Sequence, residues 1–225
     1  MEIFTPMAKM AWSFIRAGKW SRRAIHDILK RGFKMGHRFD PAHVDRLLSA
    51  ERMKLLPPDE TLQLLDVRET DDVADIGCGP GYFSLPLAAK TKGSVYCVDL
   101  SSVMLSYVQK RAAEANCQNV TTVESPAESI ALPDHSVDRI LCSFVLHEVD
   151  DLSQSLKEFI RILKPSGKML LIEWEKKESE FGPPIHHRLS SASLGAALTE
   201  LNVSHQLHHL NPVHYGFLVD SSVVA

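Results

Sequence analysis

Three glycines at alternate positions, Gly77, Gly79 and Gly81, close the apolar run Val73-Ala74-Asp75-Ile76, and a helix-like pattern follows from Tyr82 to Ala89. That order reads as a strand, a tight turn and a helix N-terminus. Glycine suits such a turn because it tolerates positive φ, and because its missing Cβ lets a ligand touch the backbone. A helix N-terminus adds unpaired N–H groups and a partial positive charge. The stretch is therefore a candidate ligand cradle on an α/β sheet, with a plain strand-to-helix turn as the alternative. Its G-x-G-x-G spacing differs from the G-x-G-x-x-G of dinucleotide-binding turns. An acid, Asp75, stands two residues before the first glycine.

The chain around this turn alternates in period. Strand patterns over 72–76, 94–98, 120–124, 137–143 and 168–173 are separated by helix patterns over 82–90, 101–116 and 152–163. Lys164-Pro165-Ser166-Gly167 reads as a stop after the last of these helices. Runs such as Met169-Leu170-Leu171-Ile172 are apolar on both faces, as buried parallel strands require. A further helix pattern spans 189–201. Two last strands, near 203–210 and 213–219, are separated only by Asn211-Pro212, so they form an antiparallel hairpin. The expected fold is α/β: a doubly wound, Rossmann-like sheet of seven strands, mostly parallel, with an antiparallel C-terminal hairpin. Ahead of it, Asp40 and Pro41 predict a helix running to about Ala50. After Pro57-Pro58, Asp59 is expected to cap a helix over 60–65.

Residues 1–35 stand apart as a basic helical N-terminal arm, with 36–225 forming the main domain. Nine Lys or Arg fall within the first 39 residues against Glu2 and Asp27. Met7, Met10, Ala11, Phe14 and Ile15, then Ala24, Ile25, Ile28 and Leu29, recur at helical spacing. Three readings stay open: an arm packed on the domain, a weak membrane-surface or anionic contact through residues 7–38, and an Arg-rich targeting peptide, which the two acids weaken. The whole chain carries a net charge of −3, so no global basic field calls for nucleic acid. No apolar run approaches the roughly 20 residues that span a bilayer. Cys78, Cys97, Cys117 and Cys142 form no C-x-x-C pair, which fits a reducing, cytoplasmic setting. Oligomeric state is not encoded in any of these features.

Further along, Asp99 closes the strand Val95-Tyr96-Cys97-Val98, where ligands bind outside the carboxyl ends of such sheets. A carboxylate there can accept both hydroxyls of a ribose, or it can cap the following helix. Together, Asp75-x-Gly77-x-Gly79-x-Gly81, Asp99 and the Pro126-Ala127-Glu128 loop resemble the class I S-adenosylmethionine (SAM) methyltransferases. His147-Glu148 after the fourth strand resembles the small-molecule type, the ubiquinone and menaquinone C-methyltransferases and their relatives. From about residue 36 the chain also looks like a group of small prokaryotic SAM methyltransferases, on His37-Arg38-Phe39-Asp40-Pro41, His147-Glu148 and Glu173-Trp174-Glu175. The resemblance implies SAM as cofactor, held by Asp75, Gly77, Cys78, Gly79, Gly81, Asp99, Leu100, Ala127, Glu128 and Ser143. Pro126 departs from the family pattern, which often has Asp there.

The resemblance further implies a SAM-dependent methyltransferase moving a methyl group to a small-molecule acceptor by in-line displacement. Neither a D/N-P-P-Y motif nor a Pro-Cys nucleophile is present, which argues against a nucleobase substrate. The acceptor pocket is expected around Phe144, His147, Glu148, His37 and Trp174. His147 is the candidate general base because its ordinary pKa lies near physiological pH; a substrate-shaping or structural role is the alternative. Six of the eleven histidines fall in the last third, but without a cysteine or carboxylate cluster they read as hairpin surface, and no metal is expected. A non-catalytic SAM-binding module and, behind it, an NAD-linked oxidoreductase are the competing functions.

Overall fold

The computed structural model describes residues 44–221. The proposed arm at 1–35, the segment 7–38 and His37 lie outside the described residues. The helices are α1 (Val44–Leu47), α2 (Ala50–Leu55), α3 (Pro58–Gln63), α4 (Ser84–Lys90), α5 (Ser102–Glu114), α6 (Leu152–Ile162) and α7 (Ser191–Glu200). The strands are β1 (Val73–Ile76), β2 (Val95–Asp99), β3 (Val120–Glu124), β4 (Val137–Ser143), β5 (Leu163–Trp174), β6 (Ser204–His209) and β7 (His214–Asp220).

One sheet holds all seven strands in the order β3-β2-β1-β4-β5-β7-β6. The first five are parallel, and β7 pairs antiparallel with both β5 and β6. The expected sheet and closing hairpin are therefore present. Strand order reverses between β1 and β4, the switch point at which open α/β sheets bind ligands.

Alternation along the strands builds two cores. Ala74, Ile76, Ile140, Cys142, Met169 and Leu171 face one side, packed with Leu156 and Phe159 of α6 and Leu194 and Leu198 of α7. Val73, Cys97, Leu141, Leu170 and Ile172 face the other, with Leu62 of α3, Leu87 of α4 and Leu105 and Val108 of α5. Each Val, Leu, Ile, Met or Phe among them, fully buried, contributes about 1.5–3 kcal/mol. Helix α6 forms because its apolar residues recur at 152, 156, 159 and 162, and because the Asp151 carboxylate accepts from Gln154 N–H at 2.9 Å. Ser101 caps α5 in the same way.

Three local expectations are corrected. The helix expected to run to Ala50 breaks at Leu48-Ser49, because Ser49 caps a new helix by accepting from the Arg52 N–H. Asp59 is not a cap: Pro58 takes the first helical position, where its fixed φ and missing N–H cost nothing, and Asp59 falls inside the first turn. The helix stops at Ile162, before Lys164-Pro165-Ser166-Gly167, but these four residues lie within β5, which starts at Leu163 rather than at Lys168. Pairing jumps from Val137↔Leu163 to Arg139↔Lys168, so a bulge absorbs the Pro-Ser-Gly stretch, and regular pairing starts at Lys168.

Candidate active site

The carboxyl ends of β1, β2, β4 and β5 meet at the switch point, and most of the described candidate residues lie on the segments that leave them. The turn after β1 has φ of +65°, +52° and +83° at Gly77, Gly79 and Gly81. A Cβ on Gly77 would overlap the Val145 side chain, whereas one on Gly79 would meet only Leu47, at 3.6 Å. Gly77 and Cys78 N–H both donate to the Val98 carbonyl, at 2.8 and 3.0 Å, tying the turn to β2. Helix α4 begins at Ser84 rather than at Tyr82. Tyr82 stays in the turn, where its hydroxyl donates to the Leu56 carbonyl at 2.8 Å.

Asp99 faces this turn. Its Oδ2 accepts from Gly79 N–H at 2.9 Å and its Oδ1 from Ser101 N–H at 2.8 Å. Those two bonds use about half of a carboxylate's acceptor sites. Burial raises its pKa, while the backbone donors at Ser101, Gly79 and Leu100 oppose the rise. Asp75 sits deeper, 1% exposed, with its Oδ2 accepting from the Ser84 hydroxyl at 2.6 Å. Burial pushes its pKa up to about 7 against the Ser84 hydrogen bond and the Arg52 charge, which lower it; the Asp99 charge adds to the rise. Cys78 is buried, and its thiol is held well above the ordinary value by Cys97 and by burial, so it is no nucleophile. Leu100 is exposed, just beyond β2. Ala127 packs on the core edge. Glu128 turns towards the segment after β4: its Oε1 accepts from Asp150 N–H at 2.9 Å, and its carbonyl from the Gln154 amide at 3.2 Å.

The post-β4 segment holds Phe144, His147 and Glu148, the residues expected on the acceptor side. Ser143 ends β4 in a buried position, and Phe144 follows at φ +62°. That conformation costs a bulky residue of order 1–3 kcal/mol, and the Phe144 N–H bond to the Ile172 carbonyl at 2.8 Å helps hold it. The Phe144 ring lies 5.4 Å from Trp174 and 5.0 Å from His214, and Trp174 and His214 are 4.0 Å apart. Three residues after Phe144, the His147 side chain is almost fully enclosed. Its Nδ1 lies 2.8 Å from Glu173 Oε2 and 3.1 Å from Oε1, and its backbone N–H donates to the same carboxylate at 3.3 Å. Its Nε2 lies 3.7 Å from Glu148 Oε1. Burial alone would lower the His147 pKa. The hydrogen bond and charge of Glu173, with the charge of Glu148, outweigh burial and raise it.

Trp174 is held from both sides. Gly182, at φ +100°, packs where a Cβ would meet the indole at 2.8 Å. The Arg188 guanidinium sits 5.1 Å from its ring centre. Arg188 also donates to the carbonyls of Pro183, Lys177 and Phe181 and to the Ser179 hydroxyl, fastening the loop that follows β5.

Four residues of this site were given no role in it from the sequence: Glu173, which stood only within the Glu173-Trp174-Glu175 run, Arg52, Arg188 and His214. Glu173 is wholly buried at the end of an apolar strand. A carboxylate in such a place needs a partner, and that signal was available. Arg52 lies on a helix without buried residues and carried no signal. No group of three or more potential metal ligands is clustered among the described residues, and none of their helices is long and apolar enough to cross a membrane.

Residues 74–171 match the family described as a methyltransferase domain. The demethylmenaquinone methyltransferase of Listeria monocytogenes is 33% identical over 116 residues, covering 51% of this chain and 49% of its own. That of Geobacillus is 28% identical over 153 residues, covering 66% and 62%. The chain thus spans about half the length of the first of these curated relatives. A SAM-dependent methyltransferase from Aquifex aeolicus has a similar structure, with a TM-score of 0.78 and 27% identity over 83% of this chain and 100% of that one. Residues 74–171 thus match a methyltransferase domain, and the chain is similar in fold to a SAM-dependent methyltransferase.

Proposed function

We propose that this chain transfers a methyl group from SAM to a small-molecule acceptor bound against Phe144, Trp174 and His147. The observation that carries the reading is the convergence at one switch point of an open glycine turn, the Asp99 carboxylate and the His147–Glu173 pair. The residues fit the cofactor. The turn leaves open space at Gly79, where a Cβ would meet only Leu47 at 3.6 Å, and Asp99 retains acceptor capacity for a pair of ribose hydroxyls. Asp75, Gly77, Cys78, Gly79 and Gly81 would form the cradle, with Leu100, Ala127 and Ser143 along its rim. Glu128 would act indirectly, by fixing the post-β4 segment through Asp150.

SAM, when bound, supplies a methyl group already activated on a sulfonium. What remains for the protein is alignment, which in ideal cases supplies ~7–11 kcal/mol, and removal of any proton from the acceptor. His147 suits the second task. Glu173 fixes its Nδ1–H and leaves Nε2 as the proton acceptor, a base oriented by a third group. The raised pKa makes that nitrogen a stronger base. Relatives named as demethylmenaquinone methyltransferases support an acceptor of small-molecule size.

Calorimetry with SAM, S-adenosylhomocysteine and NAD tests the reading. SAM and S-adenosylhomocysteine should bind, NAD should not, and Asp99→Ala should weaken both adenosyl ligands. Tight NAD binding without a response to SAM would refute it. SAM binding without methyl transfer to any of a panel of phenols, quinols and amines would favour a non-catalytic module instead.

A further inference from the structure

Two buried nitrogen donors in this site have no hydrogen-bond partner among the described residues: Arg52 Nε and His214 Nε2. They flank the same ring. The Arg52 guanidinium carbon lies 5.1 Å from the Phe144 centroid and 4.5 Å from that of Tyr82, and the His214 ring lies 5.0 Å from Phe144. The protonation of His214 follows from its neighbour. Asn211 Oδ1 accepts from the N–H groups of Val213 and His214, which fixes the amide's orientation. Its NH₂ then donates to the Leu55 carbonyl at 2.7 Å and to His214 Nδ1 at 2.9 Å. With Nδ1 accepting, the neutral ring carries its proton on Nε2. Burial, with the charges of Arg52 and Arg188, lowers the His214 pKa to about 4, so the ring is neutral at physiological pH. Arg52 stays charged, since burial brings it down only to about 10.

A buried donor left without an acceptor costs about 1–3 kcal/mol, more when charged. Two such donors beside one aromatic ring, one of them cationic, are complementary to an oxygen that carries negative charge. We propose that Arg52 and His214 form a two-donor subsite for an anionic oxygen of a ligand bound beside Phe144. The proposal rests on the methyltransferase reading above and names the chemistry of one of its ligands. Two sources supply such an oxygen: the carboxylate of the cofactor's methionine moiety, and a carboxylate or phenolate on a planar acceptor stacked against Phe144 and Trp174. The same turn that orients His214 also holds α2, through Asn211 and Leu55, so both donors are positioned by one residue.

The test is calorimetry on the full chain with three probes: S-adenosylhomocysteine, 5′-methylthioadenosine and 2-naphthoate. The second keeps the nucleoside and thioether but lacks the amino-acid carboxylate. The variants are Arg52→Met, Arg52→Lys and His214→Phe. A charge-assisted hydrogen bond of ordinary strength corresponds to a ten- to hundredfold change in Kd. If Arg52→Met and His214→Phe weaken S-adenosylhomocysteine by that factor and spare 5′-methylthioadenosine, the oxygen is the cofactor's. If they weaken only 2-naphthoate, it is the acceptor's. In either case Arg52→Lys should recover part of the loss. Should wild type bind S-adenosylhomocysteine while neither Arg52→Met nor His214→Phe changes any Kd by more than about twofold, the subsite is refuted. Should wild type bind neither adenosyl ligand, the cofactor reading itself falls, and the naphthoate series alone decides the subsite. Arg52 lies on a helix without buried residues, so its variants keep the test open even if His214→Phe unfolds.

Discussion

Replacing Asp75 by Asn should change how stability depends on pH. Asp75 is sealed at the end of β1, and burial raises its pKa from the ordinary 3.8 to about 7. In the unfolded chain the carboxyl group loses its proton near 3.8; in the folded protein it holds it until about 7. A raised native pKa means a contribution that is fully present below pH 3.8 and is lost as the pH rises through 7. At 1.36 kcal/mol per pKa unit, that gap amounts to about 4 kcal/mol. Asn has the same shape and can still accept from the Ser84 hydroxyl, but it does not titrate. The difference in unfolding free energy between Asp75→Asn and wild type should therefore move in favour of the variant by up to about 4 kcal/mol between pH 4 and pH 7, and be flat on either side. Urea unfolding of both proteins from pH 4 to 8.5 measures that difference, and all other titrating groups cancel in it. A difference that does not vary with pH would show that Asp75 is ionised in the folded protein at pH 4, and would refute the argument that burial dominates there.

Other perturbations follow from contacts in the same site and its supports. Gly77→Ala should destabilise by about 2–5 kcal/mol, combining the left-handed conformation at φ +65° with overlap of the Val145 side chain, and thermal unfolding checks it. Arg139 pairs with Asp71 at 3.2 Å, both buried, and also donates to the Leu65 and Asp66 carbonyls. Arg139→Met should cost about 3–5 kcal/mol in urea unfolding, yet leave S-adenosylhomocysteine affinity unchanged, since it lies at the opposite end of β4 from the site. Glu173→Gln removes the charge that holds the His147 pKa up, so burial should carry it below 6.5. An NMR titration of the His147 ring should show that downward move, and turnover should fall by at least tenfold with its acid limb displaced to lower pH.

The parts of the site that were legible in the sequence depend on local sterics. Alternate glycines after an apolar run announce positive φ, and all three adopt it. The place of Asp99 at the end of β2, against the glycine turn, was legible from the alternating β/α pattern. The closing hairpin was legible from Asn211-Pro212, although the further role of Asn211, orienting the His214 ring, was not. The extra residues of β5 were hidden because Pro165 and Gly167 signal a break equally well in a loop and in a bulge. Glu173 and His147 are 26 residues apart, and only the β4–β5 register makes them neighbours.

That separation bears on what the site can be. A histidine in an HE dipeptide invites pairing with the adjacent acid, yet Glu148 lies 3.7 Å from Nε2 while Glu173 holds Nδ1 at 2.8 Å. A buried acid aligned on the far nitrogen is the arrangement a base needs, because it fixes the tautomer without occupying the reactive atom. An acid only on Nε2 would instead block that atom. The same division recurs at His214, where Asn211 occupies Nδ1 and leaves Nε2 as the outward atom. The two imidazoles thus differ in tautomer through their Nδ1 partners: with a carboxylate on Nδ1, the neutral His147 ring leaves Nε2 without a proton, and with an amide N–H on Nδ1, the neutral His214 ring carries its proton on Nε2. The aromatic wall of Phe144 and Trp174 is served by one nitrogen that can take a proton and another that can give a hydrogen bond, which is the pair of functions that deprotonating and then holding an oxygen-bearing acceptor would require.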